Sequence, residues 1–294
     1  MLPSNGSPSC VADAPTAEEM EELRTLLYRR TGLVFDHTRD EFLRTRVTAR
    51  RRAVAPNGRF EDYLRLLRSC VDASELQSLV NLVTVNETHF FRETYQLDCL
   101  VGSMLDELVA TNPFKKQIKI WCIPCATGEE PYTIAMYLLE RWKRVDEFEV
   151  TIMGSDIDTV ALSKARRGLY DDRSVRLVPP EYRDKYFSRV GDGYQLTTDI
   201  LGSVELSRIN VSEARETSAM QDVDVIFCRN LLIYFDDESR RAAVENLRAA
   251  LTPGGFVCLG HSESMTRISS QFELRKFPDA IVYQKPKAVR RRTG

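Results

Sequence analysis

Acidic residues follow two segments of the chain that have the character of buried strands. The apolar run Gln117–Ile123 leads into a loop that holds Gly128 and Glu130, and the run Val150–Ser155 leads directly into Asp156. Parallel sheets bind nucleotides at the carboxyl ends of their strands, where a carboxylate can accept two hydrogen bonds from a ribose. Asp156 lies 28 residues beyond Gly128 in the sequence, and we interpret it as a candidate nucleotide ligand.

The same acids also have a structural interpretation. Glu129 and Glu130 stand where a helix is predicted to begin, ahead of Pro131, and both would complement a helix dipole there. Asp158 suits the N-cap of the next helix better than Asp156 does. The loop lacks G-x-G-x-x-G, so it does not predict a pyrophosphate cradle. With two acids after the second strand, one can cap the helix while the other binds a ligand.

Cysteines and histidines raise two further chemistries. The segment Trp121–Cys125, with the sequence Trp-Cys-Ile-Pro-Cys, is also the arrangement of thioredoxin-like oxidoreductases, at a strand end where a thiolate would be stabilised. Taken alone, it predicts a redox site. His37 and His89 have no partners at metal-ligand spacing, so we predict no metal site. For His261, which follows a late strand segment, we favour a structural hydrogen bond over acid–base catalysis.

Length, composition and charge describe the chain that must position these residues. Its 294 residues suggest about two domains of roughly 100–200 residues each. The net charge of −2 excludes an overall field that would recruit nucleic acid or anionic lipid. No apolar run approaches the roughly 20 residues of a membrane helix, and the first residues do not form a secretory signal. The seven scattered cysteines do not form a disulfide framework, and we expect a cytoplasmic protein.

The first 92 residues predict a leader and a helical domain. Residues 1–16 are rich in Ser, Pro, Gly and Ala, a composition typical of a disordered segment. Thr16 and Glu19 predict a capping box at the start of the first helix. Further helices are predicted around residues 39–54, 60–69 and 72–84. We therefore expect an all-α domain over residues 17–92.

The remainder of the chain alternates between strands and helices. Strands are predicted at 117–123, 150–155, 223–228 and 255–259, and helices at 93–111, 130–145, 159–168 and 237–251. This alternation is typical of an α/β domain with a parallel sheet, here over residues 93–285. Between about 173 and 207 the rhythm breaks, and we expect an inserted β-subdomain with short strands at 194–198 and 204–206. A basic tail is expected over residues 286–294.

Four separated segments carry a resemblance to a known family. They are Thr84–Glu93, Thr127–Tyr132, Phe227–Asp236 and Gly260–Glu263. Together they closely resemble the CheR family of chemoreceptor protein-glutamate O-methyltransferases, over roughly residues 17–285. The resemblance implies a class I (Rossmann-like) S-adenosylmethionine-dependent methyltransferase domain with a small β-subdomain insertion, preceded by an all-α domain. It also implies methyl transfer to glutamates on the cytoplasmic helices of methyl-accepting chemoreceptors, with S-adenosylhomocysteine as product.

The resemblance also implies which residues form the site. Those implied to bind S-adenosylmethionine are Asn86, Thr88, Arg92, Glu130, Asp156, Asn210, Val211, Arg229 and Asn230. Those implied to face the transferable methyl group and the incoming glutamate are Arg92, Arg229 and Tyr234. Which of the two arginines holds the cofactor and which holds the substrate stays open. In this context the Trp121–Cys125 segment becomes the loop under the cofactor.

The residue types suit methyl transfer to a carboxylate. A glutamate is already ionised at neutral pH, so its attack on a sulfonium methyl needs no general base. The site must instead hold the carboxylate near attack distance, which is largely an entropic contribution. Two alternatives remain: a class I methyltransferase with another acceptor, such as a small acid or RNA, and a non-catalytic module that senses S-adenosylmethionine.

Arginines are concentrated in the second predicted helix and its surroundings. Nine lie between Arg29 and Arg59, against three acids, for a net charge of +6. Arg46 and Arg50 share a helix face at i, i+4. Such a run is often only a solvated face, but it also predicts a docking surface for an acidic receptor helix. We expect no nucleic-acid partner, contact with the membrane only through the receptor, and a monomeric protein.

Overall fold

The computed structural model describes residues 14–56, 58–69, 73–265, 268–278 and 280–287. The chain divides into two compact units, Met1–Thr84 and Val85–Gly294. Most of the expected leader, and the end of the expected basic tail from residue 288, lie outside the described residues. Among the described residues, no helix is both long and apolar enough to cross a membrane.

The first unit contains four helices within its described residues. They are α1 (Ala17–Thr31), α2 (Asp40–Val54), α3 (Phe60–Arg68) and α4 (Ala73–Val83). The predicted capping box is confirmed, because Glu19 N donates to Thr16 Oγ1 while Thr16 N donates to Glu19 Oε2. Gly32 ends α1 with φ at 76°, a conformation that glycine adopts without steric cost. Leucines at the helical period, such as Leu23, Leu27 and Leu43, form the buried faces.

The described residues of the second unit form ten strands. In chain order they are β1 (Gln117–Cys122), β2 (Glu149–Asp156), β3 (Leu169–Tyr170), β4 (Phe187–Val190), β5 (Gly193–Leu196), β6 (Val204–Arg208), β7 (Val223–Cys228), β8 (Leu251–Leu259), β9 (Glu273–Lys276) and β10 (Ile281–Gln284). Seven of them form one sheet in the order β6-β2-β1-β7-β8-β10-β9. The neighbours from β6 to β8 are parallel, whereas β10 is antiparallel to both β8 and β9.

Helices of the second unit connect these strands. They are α5 (Thr94–Cys99), α6 (Leu105–Thr111), α7 (Glu129–Arg141), α8 (Thr159–Arg167), α9 (Asp172–Val175), α10 (Pro180–Tyr186), α11 (Thr198–Gly202), α12 (Ala214–Thr217) and α13 (Asp237–Ala250). A π-helical turn at Leu100–Met104 joins α5 to α6. The predicted helix at 130–145 ends earlier, because Trp142 leaves the helical conformation and is buried.

The strand order creates a crevice at the centre of the sheet. From β1 the chain proceeds to β2 on one side, and later to β7 on the other side. Open α/β sheets bind ligands where the direction of strand order reverses, at the carboxyl ends of the strands. The ends of β1, β2 and β7 therefore mark the place to look for a site.

The inserted subdomain differs in part from its prediction. A three-stranded sheet, β3-β5-β4, contains the strand predicted at 194–198, and Val190 pairs with Gly193 across a tight hairpin. The assignment of 204–206 to this insertion is wrong, because β6 is the parallel edge strand of the main sheet beside β2. The residues of β6 pair with Ile152–Asp156, some 50 positions earlier, and a pairing over that separation leaves no local signal.

The late strands also differ from the predicted pattern. The sequence predicted a strand at 255–259, but β8 already begins at Leu251 and includes the Pro253–Gly255 segment. Leu251 pairs with Val223, and an irregularity between Val223 and Val225 accommodates this segment within the strand. The hairpin of β9 and β10 was not predicted from the sequence, because the alternation of buried and exposed residues is weak in both strands.

Candidate functional site

The loop between β1 and α7 is fixed by its own side chains. Gly128 has φ at 94°, and a Cβ there would lie 2.7 Å from Tyr132 Cε2, so only glycine fits. Glu129 is buried and accepts hydrogen bonds from the hydroxyls of Thr127 and Ser174. Glu129 therefore ties this loop to the inserted subdomain, and it lies in the first turn of α7, where the sequence predicted the start of a helix.

Asp156 is buried at the end of β2, as predicted. Its Oδ2 accepts a hydrogen bond from Ala126 N, and its Oδ1 accepts one from Asp158 N, both at 2.8 Å. A carboxylate offers about four lone-pair sites, so Asp156 can also accept hydrogen bonds from a ligand. Burial raises the pKa of Asp156 to about 6, so the group is mainly ionised at neutral pH.

Asp158 has a different role from Asp156. Its Oδ1 accepts hydrogen bonds from Val160 N and Ala161 N, which confirms the N-cap prediction for α8. Its Oδ2 accepts a hydrogen bond of 2.6 Å from Asn86 Nδ2. Asp158 thus links Asn86 to Asp156, and it anchors the segment that begins at Asn86 to the start of α8.

Arg229, directly after β7, lies at the centre of a buried charge cluster. Its Nη1 contacts Glu130 Oε2 at 2.7 Å, and its Nη2 contacts Glu93 Oε2 at 3.1 Å. The same Nη2 donates to the backbone carbonyl of Arg92. Burial raises the pKa of Glu130, although Arg229 opposes that shift. For Glu93, the cationic Arg229 and the His261 hydrogen bond outweigh burial and lower the pKa.

Two polar atoms of this cluster are buried without a hydrogen-bond partner among the described residues. They are Glu130 Oε1, an acceptor, and Arg229 Nε, a donor. An unpaired buried polar group costs about 1–3 kcal/mol, so a ligand that supplies a donor and an acceptor here is favoured. The α-ammonium and carboxylate of an amino acid offer such groups, and Asp156 offers an acceptor for ribose hydroxyls. The residues therefore fit S-adenosylmethionine.

The segment before α5 carries three of the implied site residues. Asn86 is held by Asp158, whereas Thr88 and Arg92 are half-buried. Arg92 Nη1 donates to the backbone carbonyl of Glu87 at 2.9 Å. Arg92 thus contacts a neutral carbonyl, in contrast to Arg229, whose charge is balanced by two carboxylates.

Aromatic side chains hold this segment against the inserted subdomain. Phe90 packs edge-on against Tyr170 and Phe187, and Phe90 N donates to Ser174 O. Phe91 packs against Tyr182. The segment that carries Arg92 is therefore anchored by buried rings on one side of the site.

Glu263 fixes the loop that follows Arg229. Its Oε2 accepts from Asn230 N and Gly260 N, and its Oε1 accepts from Leu232 N, at 2.7–2.9 Å. Asn230 has φ at 58°, a left-handed conformation that asparagine tolerates better than most residues. Tyr234 ends the short 3-10 turn that begins at Leu232 and is half-buried. The carboxylate of Glu263 thus holds the backbone at Asn230 and Leu232, two residues before Tyr234.

Asn210 and Val211 follow β6, at the far side of β2 from Arg229. Both are buried. Asn210 N donates to Glu216 Oε2 at 2.6 Å, and the Val211 carbonyl accepts from Asn246 Nδ2. The implied site residues after β2, β6 and β7 thus lie at the carboxyl edge of one sheet. For Asn210 and Val211 this position was not predicted, because the strand before them was assigned to the insertion.

Glu93 and Glu263 are site residues to which the sequence patterns assigned no role. Both lie inside the motifs that carry the family resemblance, at the last position of Thr84–Glu93 and of Gly260–Glu263. Glu93 contacts Arg229 and also His261 Nδ1, the latter at 2.9 Å. This contact confirms a structural hydrogen bond for His261. Glu93 could be recognised only by its contact with Arg229, and the spacing of residues in the sequence does not reveal that contact because the two residues are far apart in the chain.

Cys122 and Cys125 do not have the properties of a redox pair. Both are free and buried. Burial raises the pKa of each thiol well above its ordinary value, and the negative side chains of Glu130 and Asp156 add to the shift. A nucleophilic cysteine needs a lowered pKa, so the redox interpretation that the Trp121–Cys125 spacing suggests on its own is not supported here.

Arg46 and Arg50 lie in the first unit, and both have partners within it. Arg50 Nη2 pairs with the buried carboxylate of Glu75 at 2.6 Å, and Tyr63 donates to the same carboxylate. Arg46 Nε donates to Leu82 O, and its guanidinium lies 3.7 Å from the centroid of the Phe42 ring. These contacts join α2 to α4, and receptor docking at these arginines stays a prediction.

Comparison with known proteins identifies the family. Residues 18–84 match the CheR methyltransferase all-alpha domain, and residues 86–281 match the CheR methyltransferase SAM-binding domain. The chain is 44% identical to chemotaxis protein methyltransferase 2 of Vibrio cholerae serotype O1, over 90% of this chain and 91% of that protein. It is 32% identical to the chemotaxis protein methyltransferase of Escherichia coli K12, over 85% of each chain. The chain belongs to the CheR methyltransferase family, and its second unit is the S-adenosylmethionine-binding methyltransferase domain.

Proposed function

We propose that this protein transfers the methyl group of S-adenosylmethionine to glutamate side chains on the cytoplasmic helices of chemoreceptors. The products are glutamate methyl esters and S-adenosylhomocysteine. The observation that carries the proposal is the buried cluster of Arg229, Glu130 and Glu93 at the crevice of the sheet, with two polar atoms left for a ligand. The names of the relatives, which are chemotaxis protein methyltransferases, support the choice of acceptor.

The cofactor is held by residues at the ends of three strands. Glu130 Oε1 accepts a hydrogen bond from the ammonium group, and the Asp156 carboxylate accepts hydrogen bonds from the ribose hydroxyls. Arg229, whose charge is balanced by Glu130 and Glu93, lies on the cofactor side of the site. Asn86, Thr88, Asn210, Val211 and Asn230 complete the binding surface. When bound, S-adenosylmethionine supplies an electrophilic methyl group on a sulfonium.

Arg92 holds the accepting glutamate. Its side chain is half-buried and hydrogen-bonds a backbone carbonyl, so its positive charge is available to a carboxylate. Tyr234 orients the same carboxylate from the loop fixed by Glu263. Because a glutamate is ionised at neutral pH, these two residues need only position it and exclude water. Charged hydrogen bonds of this kind contribute roughly 1.5–3 kcal/mol each.

The division of the chain follows the two activities. Residues 17–84 form the helical domain that meets the receptor, with Arg46 and Arg50 on its basic helix. Residues 85–285 form the methyltransferase domain, which includes the segment from Asn86 to Arg92. A receptor whose methylated helices are rich in carboxylates would be attracted by the excess of arginine in the first domain.

Mass spectrometry of a receptor fragment tests the proposal. The purified chain is incubated with S-adenosylmethionine and the cytoplasmic fragment of a methyl-accepting chemoreceptor, and peptides are mapped for added methyl groups. We expect methyl groups on glutamates, and none after incubation with Asp156→Ala. Methylation of another residue type, or of added RNA or small acids, would contradict the assignment of the acceptor.

A further inference from the structure

A groove with a volume of about 570 Å³ lies in the second unit beside the charge cluster. One wall comes from α5 and the loop after β8, and the other comes from β9, β10 and the turn between them. Leu274 and Ile281 line it, and their side chains are 41% and 54% exposed. Exposed aliphatic side chains in a concave surface mark a site for another molecule.

The groove is continuous with the proposed methyl-transfer site. Tyr95 and His261 line the groove, and both contact the carboxylate of Glu93, at 3.2 Å and 2.9 Å. The same carboxylate contacts Arg229 Nη2 at 3.1 Å. One side chain, that of Glu93, therefore separates the groove from the cluster. Tyr95 Oη and Arg229 Nη2 both contact Glu93 Oε2, so the distance between them is comparable to the pitch of an α-helix, about 5.4 Å.

The charges of the groove indicate an apolar occupant. Among the described residues that line it, none is a lysine or arginine. The one carboxylate among these described lining residues, that of Glu263, accepts hydrogen bonds from three backbone N–H groups. The described lining of the groove therefore offers no cation to an acidic side chain, whereas Arg92 does so in the proposed methyl-transfer site.

Gln96 supplies a second indication that the groove is incomplete. It lines the groove, is 2% exposed, and donates from Nε2 to Leu259 O at 2.7 Å. Its Oε1 is buried and has no hydrogen-bond partner among the described residues. A buried acceptor without a partner is costly, so a receptor segment that donates one hydrogen bond here, beside its apolar side chains, is favoured.

We propose that this groove binds the apolar side chains that flank the accepting glutamate on the receptor helix, about one turn away from it. This inference rests on the proposed function. The accepting carboxylate enters the site at Arg92, and its neighbours one turn along the helix contact Leu274 and Ile281. The groove thus selects glutamates by the apolar residues around them, and the basic residues select by charge.

A neutral polar double variant tests the groove. Leu274→Gln with Ile281→Gln removes aliphatic surface without adding charge, and both positions are exposed enough for the fold to persist. We expect the KM for the cytoplasmic receptor fragment to rise about tenfold, which corresponds to about 1.4 kcal/mol. The kcat at saturating fragment and the Kd for S-adenosylhomocysteine should stay within twofold of wild type. Ile281→Val should retain the wild-type KM.

Leu139→Gln is the matched control, because Leu139 is 53% exposed on α7 and lies outside the groove. If the double variant had the wild-type KM, the proposed role of the groove would be overturned. The proposed function would stand in that case, provided that methyl esters still formed. A wild-type chain that binds S-adenosylhomocysteine but forms no methyl ester would overturn both. If sedimentation velocity showed a dimer for the wild-type chain and a monomer for the double variant, the groove would be an interface between two copies of the chain. That result would contradict our proposal.

Discussion

Arg229 and Arg92 differ in what surrounds them, and the difference separates their roles. Arg229 is buried between two carboxylates, whereas Arg92 is half-buried against a backbone carbonyl. Removing one member of a buried ion pair leaves an uncompensated charge, at a cost of about 3–5 kcal/mol. We therefore assign Arg229 to the architecture of the cofactor side and Arg92 to the acceptor.

Substitution of each arginine should give different results. Arg229→Met should lower the free energy of unfolding by about 3 kcal/mol and abolish S-adenosylhomocysteine binding. Arg92→Ala should leave stability within about 0.5 kcal/mol of wild type and lower kcat/KM for the receptor by roughly tenfold to a hundredfold. Urea unfolding and initial rates measure these effects. An Arg229→Met protein as stable as wild type would refute the assignment.

Asp156 should make cofactor binding depend on pH. Burial raises its pKa to about 6, so the carboxylate takes up a proton as the pH falls through that value. The neutral acid is a weaker hydrogen-bond acceptor than the carboxylate, so binding should weaken below pH 6. Between pH 7.5 and pH 5, calorimetry should show the Kd for S-adenosylhomocysteine rising about tenfold. Asp156→Asn should bind weakly and lack this step, and a wild-type Kd that does not change with pH would count against the role of Asp156.

At the scale of single residues, the sequence predicted the role of a residue where its hydrogen-bond partners are close to it in the chain. Asp158 could be identified as an N-cap because the N–H groups it accepts from belong to Val160 and Ala161. The role of Glu263 could not, because two of its three partners, Asn230 and Leu232, lie about 30 residues earlier in the chain. The pairing of Glu93 with Arg229 spans a still longer separation.

At the scale of elements, the loop after β7 depends on one carboxylate. Glu263→Gln keeps the size of the side chain but replaces one acceptor oxygen by a donor, which faces a backbone N–H. We expect kcat to fall by at least tenfold, because Asn230 and Tyr234 lose their fixed positions. Glu205→Gln, at an exposed position of β6, is the control for the chemical change. An unchanged kcat for Glu263→Gln would show that the loop is held by other contacts.

The contact between α2 and α4 limits how the basic helix can be tested. Arg50→Glu would place a second carboxylate against buried Glu75, so it should unfold the first unit rather than report on docking. The Arg46 side chain contacts a carbonyl and a ring, so its replacement brings no carboxylate against another. Arg46→Glu should therefore raise the KM for the receptor severalfold, with the Kd for S-adenosylhomocysteine unchanged.

Circular dichroism establishes whether the Arg46→Glu variant is folded, and Arg29→Glu, an exposed position on α1, serves as the control for net charge. If the folded Arg46→Glu variant kept the wild-type KM, α2 would not be part of the receptor surface.

The order of elements was predictable where each carries its own pattern. The capping box at Thr16 and the alternation of strands and helices after residue 117 are local signals, and both were confirmed. Membership of a sheet is a different question. The strand at 204–206 was found but assigned to the wrong sheet, because its pairing with β2 depends on residues some 50 positions away.

For the whole molecule, the near-zero net charge conceals an uneven distribution. The chain carries −2 overall, while the segment from Arg29 to Arg59 carries +6. Several of these arginines already have partners within the first unit: Arg50 pairs with Glu75, and Arg51 donates to the carbonyl of Gly58. Attraction of an acidic receptor therefore depends on fewer arginines than the sequence indicates, and it should weaken as salt rises.

The central claim is that the cluster at the crevice of the sheet supports methylation of carboxylates. The most direct test is transfer of labelled methyl from S-adenosylmethionine to chemoreceptor-bearing membranes, followed by alkali. Esters release volatile methanol in base, whereas N-methyl and S-methyl products do not. We predict volatile label that disappears in Asp156→Ala and persists in Asp184→Ala, which changes an exposed acid on α10. Label that remains bound after alkali would contradict this claim.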